Sequence, residues 1–408
     1  VIALRAEGAE VHQRLGLPTT KDEEWKYTSL RELAEMRLAP SPDVTVAWDD
    51  RWAYGLENPI RIAFVNGRFT PDLTTPLREI AGLEIRALEC AAREKSEWLR
   101  ERLGRVADMS AFTFAALNTA SFDGGAVVHV GPGTQVDRPI VILHLSTTAT
   151  GETTPVTSPR NLIVVESGAR AFVLEAYASV GEGASWINAV TEVVVHEGGS
   201  LEHVRLQDQN ASAYQVSLTQ VRQEARSAYN SYNICYGGKL TRNDWNVFLA
   251  GEEAHCRMDG VVAIGEGQHT DNHTRLDHAY PRCDSFEVYK HVLDDGSRAV
   301  FNGKIYVHQD AQKTDAKQTN QTLLLSSNAE IDSKPQLEIF ADDVRCTHGA
   351  TVGQVRQDAL FYLRSRGIDL ASARGLLVYA FAAEVLEKIT REDMRGCLER
   401  MLLEKLRG

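Results

Sequence analysis

A thiol and an imidazole stand two residues apart in the run Phe340-Ala341-Asp342-Asp343-Val344-Arg345-Cys346-Thr347-His348-Gly349-Ala350-Thr351-Val352. On an extended strand, side chains at i and i+2 share a face, with roughly 6.5–7 Å between their Cα atoms. If this run is a strand, Cys346 and His348 project into one small site. Both side chains ligate borderline and soft metals, iron and iron–sulfur clusters among them. A buried cysteine beside a hydrogen-bonded histidine, closing a sheet, would carry the same spacing without any chemistry. One thiol and one imidazole do not complete a cluster site, so a metal role requires ligands from elsewhere.

A second dense run, Gly267-Gln268-His269-Thr270-Asp271-Asn272-His273-Thr274-Arg275-Leu276-Asp277-His278, carries three imidazoles. His269 and His273 are spaced i,i+4, which chelates well from a helix. The density of Gly, Asp and Asn reads instead as strand and turn, where i,i+4 positions sit roughly 13 Å apart, too far to share an ion. The expectation is a structural polar ladder between neighbouring strands. Asp342-Asp343 is a carboxylate pair of the kind that polysaccharide-cleaving sites use, but strand neighbours face opposite sides of a sheet. G-x-S-x-G, H-E-x-x-H and G-x-x-x-x-G-K-[ST] do not occur, so nucleophile-elbow, zincin and P-loop chemistries lack their signatures. A non-enzyme is the main reading, with a β-helix carbohydrate-active enzyme or a homodimeric binding module as alternatives.

Three regions must position these residues. Residues 1–110 read as mostly helical: an amphipathic opening helix ends at Gly16-Leu17-Pro18, and helical stretches follow at Leu30–Leu38 and Ile85–Leu103. Ile60–Val65 between them reads as a short strand. Residues 111–356 change to β-rich runs: Ala126–Val130, Ile140–Leu145, Leu162–Val165, Ala171–Tyr177, Thr191–Val195, Leu201–Leu206, Val288–Val292 and Gly303–Val307. Within them Val164-Val165-Glu166-Ser167-Gly168-Ala169 recurs as Val194-Val195-His196-Glu197-Gly198-Gly199. Strand, tight turn and strand at intervals of a few tens of residues suggest stacked solenoid coils, with a β-sandwich as the competitor. Residues 357–408 turn helical. A short helix stops at Gly367, Asp369 is placed to cap a second, and Thr390 with Asp393 forms an imperfect capping box for a third. The middle helix (Leu376, Leu377, Val378, Tyr379, Ala380, Phe381) is apolar nearly all round, so a partner protein is its expected cover.

Composition bounds the partners. The 408 residues are 43% hydrophobic with a formal net charge of −12, which favours a folded core and disfavours nucleic acid or an anionic membrane as partner. No apolar run reaches the ~20 residues of a membrane span. The opening Val1-Ile2-Ala3-Leu4-Arg5-Ala6-Glu7 lacks a signal peptide's order. Six scattered cysteines, with no C-x-x-C pair, fit a reducing cytoplasm and predict no metal or cluster held stably by this chain alone.

The run around His348 resembles the SufB/SufD family of iron–sulfur cluster assembly scaffolds. So do the flanking Gln318-Thr319-Asn320-Gln321-Thr322-Leu323-Leu324-Leu325-Ser326 and Leu360-Phe361-Tyr362-Leu363-Arg364-Ser365-Arg366-Gly367-Ile368. Trp25-Lys26-Tyr27 and Cys346-Thr347-His348-Gly349-Ala350-Thr351 resemble its SufD branch; SufB chains typically read Cys-Glu-His-Glu-Ala-Thr at the second site. The resemblance implies a mainly β fold: a right-handed parallel β-helix core between an N-terminal helical or mixed domain and a C-terminal helical domain. It implies pairing with SufB, with His348 and Cys346 as metal ligands of a shared site where a nascent iron–sulfur cluster would form. It also implies a SufC ATPase docked on the C-terminal helices, through Arg366, Gly367, Ile368, Leu376, Leu377, Tyr379 and Phe381. Homodimerisation of the isolated chain is a further possibility, and removal of residues 365–408 is expected to leave the solenoid folded.

Overall fold

The computed structural model describes residues 2–76, 80–148 and 151–405. Its centre is a parallel β-solenoid of about 7 turns. Each coil places one strand in each of two facing sheets, so strands consecutive in sequence fall in opposite sheets. Sheet A ends at the strand Glu330–Ile339, and sheet B at Arg345–Gln354. Val165, Val195, Gln223, Leu249, His278, Val307 and Ile339 align across sheet A, so a coil takes between 26 and 32 residues.

The repeated motif is the corner of a coil. Gly168 and Gly198 take φ of +66° and +64°, the left-handed region where a Cβ is penalised. Their amides bond one coil onward, Gly168 N–H to Glu197 O and Gly198 N–H to Ala225 O, both at 3.0 Å. Between the sheets, in-register columns bury like on like. One runs Ile163, Val193, Val221, Val247, Leu276, Ile305, Leu337. Each coil buries its inner face only against its neighbours, which is why the apolar pattern repeats.

All eight expected core strands are present, most of them longer than the sequence indicated. The strands it did not indicate, such as Tyr214–Gln223, Leu240–Leu249 and Asp315–Leu324, carry polar residues on their inner faces as well. Those residues pair across coils and sheets: Asn243 Nδ2 and Asn233 Nδ2 both donate to Asn272 Oδ1 at 2.9 Å. A hydrogen-bonded amide ladder fills the interior as an aliphatic one does, but erases the alternation that identifies a strand.

Helices cover both outer faces. The helices are α1 (Ile2–Leu15), α2 (Arg31–Glu35), α3 (Leu88–Glu94), α4 (Ser96–Arg100), α5 (Thr113–Ser121), α6 (Gln357–Ser365), α7 (Leu370–Leu386) and α8 (Glu392–Lys405). Leu30, Leu33 and Phe114 pack on Trp186, Tyr214, Val216 and Leu240 of sheet A. Two stretches expected as continuous helix are interrupted. Leu38–Pro40 leaves the first to pair with Thr154–Pro155-Val156, and Leu83–Ala87 leaves the second to pair antiparallel with Ala126–Val130. Ile85 and Ala87 alternate inward there, and strand pairing satisfies the backbone that a helix would otherwise close. Ile60–Val65 is a strand as expected, and it pairs with Ile140–Leu145. The N-terminal segment therefore supplies the opening strands of both sheets.

On sheet B, α7 and α8 bury Val378, Val385, Leu386, Met394, Leu398 and Leu402 among Tyr232, Ile234, Tyr236, Val261, Ala263 and Val292. The cover that the apolar middle helix demanded is the protein's own sheet. Gly367 (φ +86°) ends α6 in a Schellman turn, with its N–H on Arg364 O at 3.0 Å and Ile368 N–H on Leu363 O at 3.3 Å. Asp369 caps α7 through Ser372 N–H at 3.0 Å, as its position predicted. The capping box at Thr390 does not form. Its hydroxyl and amide both go to the carboxylate of Glu202, at 2.6 and 2.8 Å, because a buried carboxylate on sheet B needs donors more than the exposed helix end does.

Candidate metal-ligand pair and docking surface

Cys346 and His348 lie on the strand Arg345–Gln354, the last of sheet B, paired with Asp315–Leu324 on one side only. The register gives two inner columns. One is Cys256, Ser285, Ala316, Cys346; the other is Met258, Glu287, Gln318, His348. The two residues thus share the inner face at the open end of the solenoid, as strand geometry required. Their environments differ. Cys346 is half-buried against the interior cluster, and burial raises its thiol above the ordinary range. A protonated thiol is a poor ligand until a metal or a cation displaces the proton. His348 is exposed.

Among the described residues, no group of three or more His, Cys, Asp or Glu side chains is placed to hold a metal ion. Asp342 and Asp343 lie in the exposed turn before this strand, not within a strand. The Asp343 carbonyl accepts from Lys313 N–H at 2.6 Å and its amide donates to Gln312 Oε1 at 2.9 Å, so their backbone shapes the corner. The six cysteines are all free thiols, and Cys235, Cys256 and Cys283 are buried.

The histidine-rich run is the strand His269–His278 of sheet A. His269, Asp271 and His273 project outward and clamp the N-terminal arm. Thr28 Oγ1 meets His269 Nε2 at 2.8 Å and donates to Asp271 Oδ2 at 2.5 Å; His273 Nδ1 and Asn302 Nδ2 reach Glu24 Oε2 at 3.1 and 3.2 Å. Arg242, fully buried, bonds Asp244, Asp271 and the Glu24 carbonyl, and stacks under the Trp25 ring at 4.5 Å. Burial and Arg242 push the His273 imidazole down, but Asp271 and Glu24 outweigh them and its pKa is raised. Asn272, on the inner face of the same strand, joins the expected polar ladder by accepting from Asn233 and Asn243. Part of the ladder lies on the outer face, tying Glu24-Trp25 and Thr28 to the solenoid.

The proposed docking residues divide. Arg366 and Gly367 are exposed at the α6–α7 turn, and Ile368 is half-buried beside them. Leu376 is 47% exposed, whereas Leu377, Tyr379 and Phe381 are half-buried. Phe381 lies under Lys290 Nζ of sheet B at 4.7 Å from its ring centre, and Lys290 pairs with Glu384. The most exposed aromatic side chains of the region were not singled out from sequence: Phe361 at 74% and Tyr362 at 57%, both on α6. The one signal was two adjacent aromatics in a charged nine-residue helix. With Leu370 and Leu376 they are the large apolar side chains of the C-terminal helices left exposed after the sheet has taken its share. This surface and the Cys346–His348 pair belong to opposite faces of sheet B.

Family models match both parts of the chain: the SUF system FeS cluster assembly SufBD core domain over residues 146–381, and the SufBD protein N-terminal region over residues 1–142. An iron–sulfur cluster assembly SufBD family protein of Synechocystis is 32% identical, covering 97% of this chain and 88% of its own. Escherichia coli iron–sulfur cluster assembly protein SufD is 31% identical over 97% and 90%. Bacillus subtilis SufB is 27% identical over 77% and 66%. The chain belongs to the SufB/SufD family of iron–sulfur cluster assembly proteins.

Proposed function

We propose that this chain is a non-catalytic scaffold subunit that pairs with a SufB-type chain through the open end of its solenoid and carries a SufC-type ATPase on its C-terminal helices, in the cytoplasm. The observation that supports the reading best is the edge strand Arg345–Gln354. It has a partner strand on one side only, and it carries His348 and Cys346 on the face that its neighbours bury. Unpaired backbone groups on such an edge favour strand addition by another chain. The two side chains then supply part of a ligand set that a partner's cysteine and acidic residues complete. The nascent cluster is cargo of the assembled pair, and this chain alone holds none. A site divided between two chains opens or closes with their relative motion, which an ATPase on α6 and α7 would drive.

Co-expression with SufB and SufC tests the proposal. A stoichiometric complex should co-elute, and the chain purified alone should lack iron–sulfur absorbance, as a monomer or homodimer. A cluster bound stoichiometrically to the isolated chain would overturn the shared-site reading.

A further inference from the structure

Glu287 and Gln318 are left without a task by the reading above. They sit on neighbouring strands of sheet B, in register on its inner face, each about 1% exposed. Gln318 Nε2 donates to Glu287 Oε2 at 2.7 Å. The remaining polar atom of Gln318, its Oε1, is buried with no hydrogen-bond partner among the described residues, whereas the Glu287 carboxyl also faces the Thr274 hydroxyl. Space for the amide is built in. Gly303 faces it from sheet A, and a Cβ there would stand 2.4 Å from Gln318 Nε2 and 2.8 Å from its Cδ. The next residue on the column beyond Gln318 is His348. A buried carbonyl oxygen is rarely left without a donor, and a ring N–H of His348 is the donor that the stacking brings next to it.

We propose that Gln318, locked by Glu287, is a positioning residue for His348: its carbonyl oxygen accepts one imidazole N–H and turns the other ring nitrogen, with its lone pair, out of the open end of the solenoid. Metal-ligating histidines generally donate their second ring N–H to such an acceptor, which fixes the tautomer and raises the ligand's basicity. The use of this hydrogen bond rests on His348 being a ligand; the hydrogen bond itself does not.

The test is nitrogen NMR of the full-length chain labelled at histidine, with the rings neutral and the His348 signal identified by its loss in His348→Ala. One tautomer of His348 should dominate by about tenfold, the preference that one net hydrogen bond sustains. Gln318→Leu should return the ratio to that of a free imidazole. An unchanged ratio in folded Gln318→Leu overturns the proposal. If that variant does not fold, Gln318→Met, of similar length and without an acceptor, decides alone, and retention of the wild-type tautomer overturns the proposal. In the complex with SufB, Gln318→Leu should lower iron retention by roughly 10-fold. Normal cluster assembly by His348→Ala would remove the ligand reading instead, whatever the tautomer does.

Discussion

At the scale of single residues, the informative side chains are those whose surroundings oppose their ordinary chemistry. His348 is exposed at an open sheet end, so His348→Ala removes little packing. It should lower the melting temperature by no more than a few degrees, one net hydrogen bond being worth about 1 kcal/mol, while abolishing cluster assembly in cells that depend on this protein. Cys346→Ser should be milder, because a half-buried thiol against an apolar cluster is often only packing. Full cluster formation by His348→Ala would remove the site from consideration. Glu287 gives a prediction about pH. Burial, outweighing its hydrogen bonds, pushes its carboxyl up to about 7. Between its ordinary value and 7, the folded protein holds a proton that the unfolded chain has released, so this group's contribution to stability falls as pH rises through that window. Above 7 the loss is complete, on the order of 3 kcal/mol. Glu287→Gln should therefore stabilise the protein at pH 8 and have little effect at pH 4, as read by chemical denaturation. A difference independent of pH would show that the carboxyl is ionised throughout. His144, His278 and His291 have the opposite sign. Burial holds each down to about 4, so their contribution is lost as pH falls from 6.5 toward 4.

At the scale of elements, the two terminal segments are held by different physics. The N-terminal arm is held largely by polar bonds and by a stack in which Trp25 lies over Arg242 and against Phe114 at 5.4 Å between ring centres. Trp25→Ala should cost ~2–4 kcal/mol, from lost aromatic packing and from a buried guanidinium left without its cover. Proteolysis in the first thirty residues should accelerate before global unfolding does. An unchanged cleavage rate there would mean that the polar bonds suffice. The C-terminal helices are held by apolar burial, and their outer surface is what remains for a partner. Phe361→Ser, Tyr362→Ser and Leu376→Ser should weaken SufC binding with little change in melting temperature. Phe381→Ala should lower both, because its ring also packs under Lys290. Tight SufC binding by all three serine variants would move the docking surface elsewhere.

At the scale of the molecule, the protein is a two-sheet solenoid sealed on both outer faces by its own termini and left open at one end. Truncation exposes the difference between this arrangement and a core with a detachable appendage. Removing residues 365–408 deletes Val378, Val385, Leu386, Ile389, Met394, Leu398 and Leu402, each essentially fully buried. At ~1.5–3 kcal/mol per side chain the loss is on the order of 10 kcal/mol, comparable with the whole net stability of a typical protein, about 5–15 kcal/mol. The truncated chain should aggregate or expose apolar surface to a hydrophobic dye, contrary to the expectation of an independently folded solenoid. A soluble, cooperatively melting truncation would show that sheet B tolerates an uncovered outer face.

What the sequence determined by itself was whatever local chemistry dictates: the coil repeat from its corner glycines, the strands with aliphatic inner faces, the Gly367 stop and the Asp369 cap, and the pairing of Cys346 with His348 on one face. Each depends on neighbours within a few residues, or on a pattern that recurs coil after coil. What only the tertiary structure decided involves partners far apart in the chain. The strands with polar inner faces are recognisable once their amides meet across coils, as at Asn233, Asn243 and Asn272. The histidine-rich run acquires its purpose when Glu24 and Thr28, some 240 residues earlier, fold onto it. Thr390 abandons a local cap for Glu202, 188 residues away. The apolar middle helix finds its cover on sheet B because burial is non-directional and takes the nearest apolar face, whichever part of the chain supplies it.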